Sequence, residues 1–402
     1  MTRRRFFEIA AAAFCLAAGS VLAANSHMQV LYRKIKGRLR SEPASAATVS
    51  QRFAELPGEG EHVSVELALN SRCTSDHDGD PEIFHWGMFD NSARISSDQI
   101  LRIVSLAEPC RMADSTAKIS VHEETLTFLA ASRTSQHARD VSMIESGMQQ
   151  QAVCLACAAL GVAMVFESLG PDGTDVSPQE FITTRMRLGA MKASYNGSYW
   201  NASVPSHERP WMMGNLPEPT RSGTTPLVMA LEKFRLQNGH GGPASTSNLG
   251  QLLWAARGRT PHLYKSQPWG LTIPTWQGLQ NISSVYVLGG SQLFPYSNWK
   301  SGRPTHRLEK GRAAIQFDHL RSALPDSNCF LVLSANEPHA RALWEVGYQL
   351  LNIILQASAL GVAYRTLIVD DHIRVLFDGI PMGTPAAVVG IHLTEEQFFN
   401  SI

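Results

Sequence analysis

Hydrophobic positions along this chain switch between helical and strand periods. Residues 96–107 (SSDQILRIVSLA) and 245–256 (STSNLGQLLWAA) each start on Ser and then repeat apolar side chains at helical spacing, which predicts two amphipathic helices with polar N-termini. Residues 145–164 (ESGMQQQAVCLACAALGVAM) and 345–364 (EVGYQLLNIILQASALGVAY) lack Pro and are apolar on nearly every face. They predict two central helices, each closed by a glycine, Gly161 or Gly361, that can take the terminal left-handed conformation. Runs at 284–288 (SVYVL), 329–333 (CFLVL) and 386–391 (AAVVGI) predict strands, and 62–69 (HVSVELAL) has a strand-like pattern as well. The Asn-, Ser-, Gly- and Pro-rich stretch 195–219 reads as a connection, and Gly239-His240-Gly241-Gly242-Pro243 as a loop.

The two long helical segments are also alike in sequence. Offset by 200, they align without a gap and are identical at nine of twenty positions, among them Glu145/Glu345, Gly147/Gly347 and Gln149/Gln349. Composition alone gives roughly one or two identities, so the pattern predicts a duplication. In the second segment Glu345, Gln349, Asn352 and Gln356 form one polar stripe along an otherwise apolar helix. Buried polar groups need partners, so the stripe must face the sister segment, a ligand or water. The first segment keeps Glu145 and Gln149 but has Ala152 and Ala156 in the other two places, so the halves are unequal.

The chain's 402 residues suggest two or three cores, and its 44% hydrophobic content is enough to fill them. Thirty-five basic against 35 acidic side chains argue against nucleic acid as a partner. The N-terminus reads Thr2-Arg3-Arg4-Arg5-Phe6-Phe7-Glu8 and continues into the 16-residue apolar run Ile9–Ala24. That layout predicts a signal peptide over 1–24, of the twin-arginine type, and hence an exported, periplasmic protein. If the signal stays uncleaved, Arg33, Lys34, Lys36, Arg38 and Arg40 could contact anionic lipid. Of the six cysteines, Cys154 and Cys157 form a CxxC inside a helical apolar run, where they read as core residues; no metal-ligand spacing is present.

From Arg221 to His392 the ordered strings TRSGTT (220–225), LGQLLWAARG (249–258), TIPTWQGLQNISSVYVL (272–288), LFPYSNWKSGRPTHRLEKG (293–311), VGYQLLNIILQASALGVAY (346–364) and GIPMGTPAAVVGI (379–391) resemble the nitroreductase-like flavoprotein superfamily. Within it they look most like the azole-forming branch, which oxidises thiazolines and oxazolines. SRCTS, LRIVSLAEP and the first long helix resemble a shortened second copy.

The resemblance implies an α+β, nitroreductase-like fold in two fused copies that form an intramolecular pseudo-dimer with FMN at the seam. The implied division is an N-terminal arm at 25–60, a degenerate copy at 61–194, the linker at 195–219 and a fuller copy at 220–402. Arg221 and Ser222, with Arg72 in the first copy, match the family's phosphate-binding start, and Thr224 stands in it where a second basic residue is usual. Thr275, Trp276 and Gln277 replace the loop that passes close to the flavin, where Trp276 either stacks on an aromatic ligand or fills the flavin's space. Gln349 and Asn352 lie on the central helix; Asn352 either bonds the ring or joins the two copies. The family's Lys–Tyr base pair has no secure match, although Tyr348 and Tyr364 flank the helix.

The implied function is an exported FMN-dependent oxidoreductase that transfers hydride to or from a small-molecule substrate, with substrate and electron partner unassigned and no catalytic residue singled out. The alternative is a non-catalytic pseudo-dimer that has lost flavin and binds a ligand or protein. Asp76-His77-Asp78-Gly79-Asp80 lacks the order of a calcium loop, and Asp370-Asp371-His372 reads as a helix cap.

Overall fold

The computed structural model describes residues 63–70, 90, 92–112, 115, 117–131, 135–167, 174–177, 180–191, 214–220, 223–260, 270–274, 282–290, 292–313, 317–337 and 340–402. By contacts the chain divides into Met1–Ala54 and Glu55–Ile402. The signal peptide and most of the arm expected over 1–60 therefore fall in the first unit, and all of 1–60 lies outside the described residues. Every described residue belongs to the second unit.

The first half of that unit begins with α1 (Val65–Asn70), followed by α2 (Ser97–Ala107), β1 (Lys118–His122), β2 (Thr125–Ala131), α3 (Gln136–Leu160), β3 (Val162–Glu167), β4 (Thr174–Ser177) and β5 (Glu180–Ala190). The second half carries α4 (Leu227–Glu232), β6 (Asn238–Gly239), α5 (Thr246–Arg257), β7 (Arg259–Thr260), β8 (Gly270–Leu271), β9 (Ser283–Gly289), β10 (Gln292–Lys300), β11 (Arg303–Leu308) and β12 (Arg312–Ala313). It ends with α6 (Phe317–Ala323), β13 (Cys329–Ala335), α7 (Ala340–Leu360), β14 (Tyr364–Ile368), α8 (Asp371–Arg374) and β15 (Thr384–Ile391). The architecture is α+β.

Local chemistry sets the helix ends. Ser96 and Ser245 each accept a hydrogen bond from the backbone three residues on, and the Gln99 and Asn248 side chains bond back to the cap, so α2 and α5 both open with capping boxes. The two long helices end on Gly161 at φ +66 and Gly361 at φ +64, the left-handed geometry that a Cβ penalises. Asp370 caps α8 by accepting from Ile373 N–H.

Both halves use one antiparallel plan. The first sheet runs β1-β2-β5-β3, with α3 joining β2 to β3. The second runs β11-β10-β9-β13-β15-β14-β6, and within it β9-β13-β15-β14 repeats that order, with α7 joining β13 to β14. β13 is buried along its whole length. Phe330 and Val332 join Leu288, Leu320, Leu324, Phe377 and Val388 in one apolar cluster. Strand alternation turns Leu331 and Leu333 the other way, toward α7, which packs on this strand.

The long helices α3 and α7 pack on each other, α2 lies along α3 and α5 along α7. At the crossing a Cβ on Gly147 would lie 2.8 Å from Trp344 Cα, and one on Gly347 would lie 2.8 Å from Met148 N. Glycine at both places is therefore a condition of the approach. Segment 62–69 departs from its strand-like pattern. Ser64 makes a single bridge to Pro226, and Val65–Asn70 is helical, with buried Val65, Ala68 and Leu69 recurring at helical spacing. Only 214–219 of the expected linker is described.

Candidate functional site

The polar stripe of α7 is fully buried and is met mainly by protein. Glu345 Oε2 accepts from Arg257 Nη1 at 2.7 Å and from Ser283 Oγ at 2.7 Å. Gln349 Nε2 donates to Ser283 Oγ at 2.9 Å. Asn352 donates to the carbonyls of Ala255 (2.9 Å) and Thr272 (3.2 Å), while its own oxygen accepts from Gln151 Nε2 of α3 at 2.8 Å. Gln356 Nε2 donates to Glu66 Oε1 at 2.7 Å, and Gln251 holds both the N–H and the carbonyl of Thr220.

The first half uses the corresponding residues in the same way. Glu145 accepts from Met112 N–H at 2.9 Å and from the Ser115 hydroxyl, tying α3 to the segment after α2 as Glu345 ties α7 to the end of α5. Across the seam, Tyr348 OH donates to Gln150 Oε1 at 2.5 Å and Trp344 Nε1 reaches Met143 Sδ at 3.3 Å. Asn352 thus joins the halves and, together with Gln151, pins Thr272 just ahead of Thr275.

Of the residues that the resemblance assigns to FMN, Gln349, Asn352 and Thr224 are described. Gln349 and Asn352 share one helix face, whereas Thr224 is exposed in the turn before α4. Arg72, Arg221, Ser222, Thr275, Trp276 and Gln277 lie outside the described residues. Next to Arg221 and Ser222, the Gly223 N–H donates to Ser64 Oγ, and the Glu66 carboxylate rests on the Gly223 Cα. Glu66 is 5% exposed and its Oε2 has no hydrogen-bond partner; Gln149 Oε1 and Gln349 Oε1 are likewise buried and unpartnered. These three orphaned atoms are all acceptors, suited to N–H or O–H donors and not to a phosphate. These three atoms form no phosphate clamp, and at the place the resemblance assigns to the cofactor FMN would depend on Arg221 and Ser222 to hold it.

A second cluster, not anticipated from the sequence, sits at the end of α5. Arg259 lies under the Trp299 indole, 4.7 Å from the ring centroid, and its Nε and Nη1 are buried without a hydrogen-bond partner. Burial, with Arg257 nearby, lowers its pKa to about 10, opposed by Tyr296. Tyr296 OH bonds His306 Nδ1 at 2.9 Å. Burial pushes the phenol up and pulls the imidazole down to about 3, against the Pro217 carbonyl, so His306 is neutral. Cys154 and Cys157 are buried in α3, where burial, and for Cys157 its neighbour Cys154, holds the Cys157 thiol well above its usual range.

A cleft of about 620 Å³ opens elsewhere, where 239–243 runs beside β14 and the end of β15; His240, Arg365 and His392 line it, with no residue assigned to FMN. Among the described residues no helix is long and apolar enough to cross a membrane.

No protein-family model matches the chain, and no curated protein matches it. It is similar to the solved structure of a protein provisionally named a nitroreductase from Ralstonia eutropha JMP134, at 20% identity and TM-score 0.34, over 44% of this chain and 88% of that one. It is also similar to a protein provisionally named a nitroreductase from Anabaena variabilis ATCC 29413, at 12% identity and TM-score 0.46, over 67% and 69%.

Proposed function

We propose that this chain is a flavin-dependent oxidoreductase of nitroreductase type whose two halves stand in for the two subunits of a dimer, with FMN as cofactor and a small-molecule substrate. One relationship carries the proposal. The two segments identical at nine of twenty positions are the two helices that cross in contact at Gly147 and Gly347. The shared order β1-β2-β5-β3 and β9-β13-β15-β14 around those helices supports descent by duplication. FMN would supply hydride chemistry at its ring. Arg221 and Ser222 would hold its phosphate, and Gln349 Oε1 offers the donors of a ligand an unoccupied acceptor. Purified full-length protein tests this: visible flavin absorbance, retained or restored by added FMN, is the expected result. A colourless protein that ignores FMN sinks it. Assays with NADPH against a quinol then assign the electron partner.

A second proposal, a pseudo-dimer that has lost flavin, has its own support. The Glu66 carboxylate lies on Gly223, and the amide of Asn352 is wholly engaged within the protein. The absorbance experiment separates the two. We also propose export by the twin-arginine route from Arg3-Arg4 and the run Ile9–Ala24, tested by cell fractionation of an Arg3→Lys, Arg4→Lys variant.

A further inference from the structure

The fold buries two guanidinium groups side by side and treats them differently. Arg257 is answered by Glu345 in a 2.7 Å ion pair. Arg259, 3% exposed, has no such answer among the described residues: its Nε and Nη1 face no acceptor, and the group that covers it is the Trp299 indole. An aromatic face attracts a cation but accepts none of its hydrogen bonds in the plane of the fork. Polar groups at this end of α5 bond one another instead. Glu345 is shared by Arg257 and Ser283, the Tyr296 hydroxyl is bonded to neutral His306, and the Asn298 amide donates to the Arg257 carbonyl. A buried, unpaired charge is unfavourable unless something completes it.

We propose that Arg259 anchors a binding subsite for a monocarboxylate, entered past Trp299. One uncompensated positive charge balances one negative charge. A phosphate dianion would call for a second cation, and Arg257 is already neutralised by Glu345. The planar guanidinium matches a carboxylate in two parallel hydrogen bonds. Trp299 is 36% exposed while lying over the guanidinium, so its indole is the cover that an entering ligand displaces or slides beneath. Arg259 is not among the residues assigned to FMN, so the subsite stands or falls apart from the flavin proposal.

Calorimetric titration of the purified full chain with benzoate, with its neutral counterpart benzamide and with inorganic phosphate is the test. Benzoate is expected to bind, and benzamide and phosphate each to bind at least about tenfold more weakly, the worth of a charge-assisted bond. Arg259→Gln is expected to lose benzoate binding by a similar factor, with melting by circular dichroism confirming that it folds. Arg259→Lys keeps the charge without the fork and covers a failure of the first variant to fold; a partial loss is expected. Quenching of tryptophan emission by benzoate should vanish in Trp299→Phe. No benzoate binding, equal affinity for benzamide, tighter binding of phosphate, or affinity unchanged in the Arg259 variants overturns the proposal.

Discussion

Gly147 and Gly347 sit face to face where the two long helices cross: a Cβ placed on Gly347 would come within 3.0 Å of Gly147 Cα. The two residues hold equivalent places in the two similar segments, so the contact relates each half to the other through the same residue type. With no side chain between them, the helix backbones approach closely enough for Tyr348 to reach Gln150 and for Asn352 to reach Gln151.

Gly347→Ala is expected to destabilise the protein by about 1–3 kcal/mol, because the added methyl meets the backbone of the opposing helix, which cannot rotate away as a side chain can. The higher helix propensity of Ala, up to ~1 kcal/mol, offsets only part of this. Gly361→Ala provides a contrast: its Cβ would meet open space, so its cost of about 1–2 kcal/mol comes from the left-handed φ alone. Denaturant midpoints of both variants check the pair, and a Gly347→Ala protein as stable as the parent would contradict the crossing.

Glu345→Gln removes the charge that neutralises Arg257 inside the protein. A cost of about 3–5 kcal/mol is expected, since the surviving guanidinium stays buried without the carboxylate that neutralises it. The double variant Glu345→Leu, Arg257→Met should recover most of that loss. A thermodynamic cycle measures it, and additive single losses would show that the ion pair is not the cause.

His306 gives stability a defined pH dependence. Its folded pKa of about 3 lies below its ordinary 6.5, so between those values the unfolded chain binds the extra proton. This contribution is whole above pH 6.5 and is lost progressively as pH falls toward 3, at up to about 1.4 kcal/mol per unit. His306→Gln should be less stable at neutral pH, through the weakened bond to Tyr296, yet show a shallower slope in acid. Urea titrations at several pH values read both; an unchanged slope would place the acid sensitivity elsewhere.

If FMN binds, Arg221→Ala should weaken it by roughly tenfold or more without lowering the melting temperature, as expected for lost charge-assisted bonds to phosphate. Asn352→Ala should act the other way round, destabilising the fold by roughly 1–3 kcal/mol through the partners it leaves unsatisfied at Gln151, Ala255 and Thr272. Flavin titration alongside thermal melts distinguishes a ligand contact from a structural one at each position.

Several elements of both halves could be read in advance because their signals are local. The runs 284–288, 329–333 and 386–391 fall inside β9, β13 and β15, and the Ser-led helices at 96–107 and 245–256 fold with their caps in place. Segment 62–69 was misleading because alternating His, Val, Ser and Val mimic a strand, while burial of Val65, Ala68 and Leu69 together favours a helix once neighbouring elements supply the apolar surface. The fate of Asn352 was open for a similar reason: a polar residue on a buried helix announces a partner without saying which. Arg259 escaped notice because nothing in its sequence surroundings tells a surface guanidinium from a buried one.

The residues alone determined the two long helices, the two Ser-capped helices and the strands at 284–288, 329–333 and 386–391, that the two long helices are alike, and that one polar stripe would lie inside the protein; periodicity, capping and composition act over a few turns of chain and are written in its order. Which partner meets each buried polar group was decided only in three dimensions. Glu345 finds Arg257, Asn352 finds Gln151, and Arg259 finds an indole instead of an acid, across 40 to 201 positions of chain. Such pairings depend on the free energy of packing distant surfaces together and on which group each surface delivers, and neither quantity has a local signature.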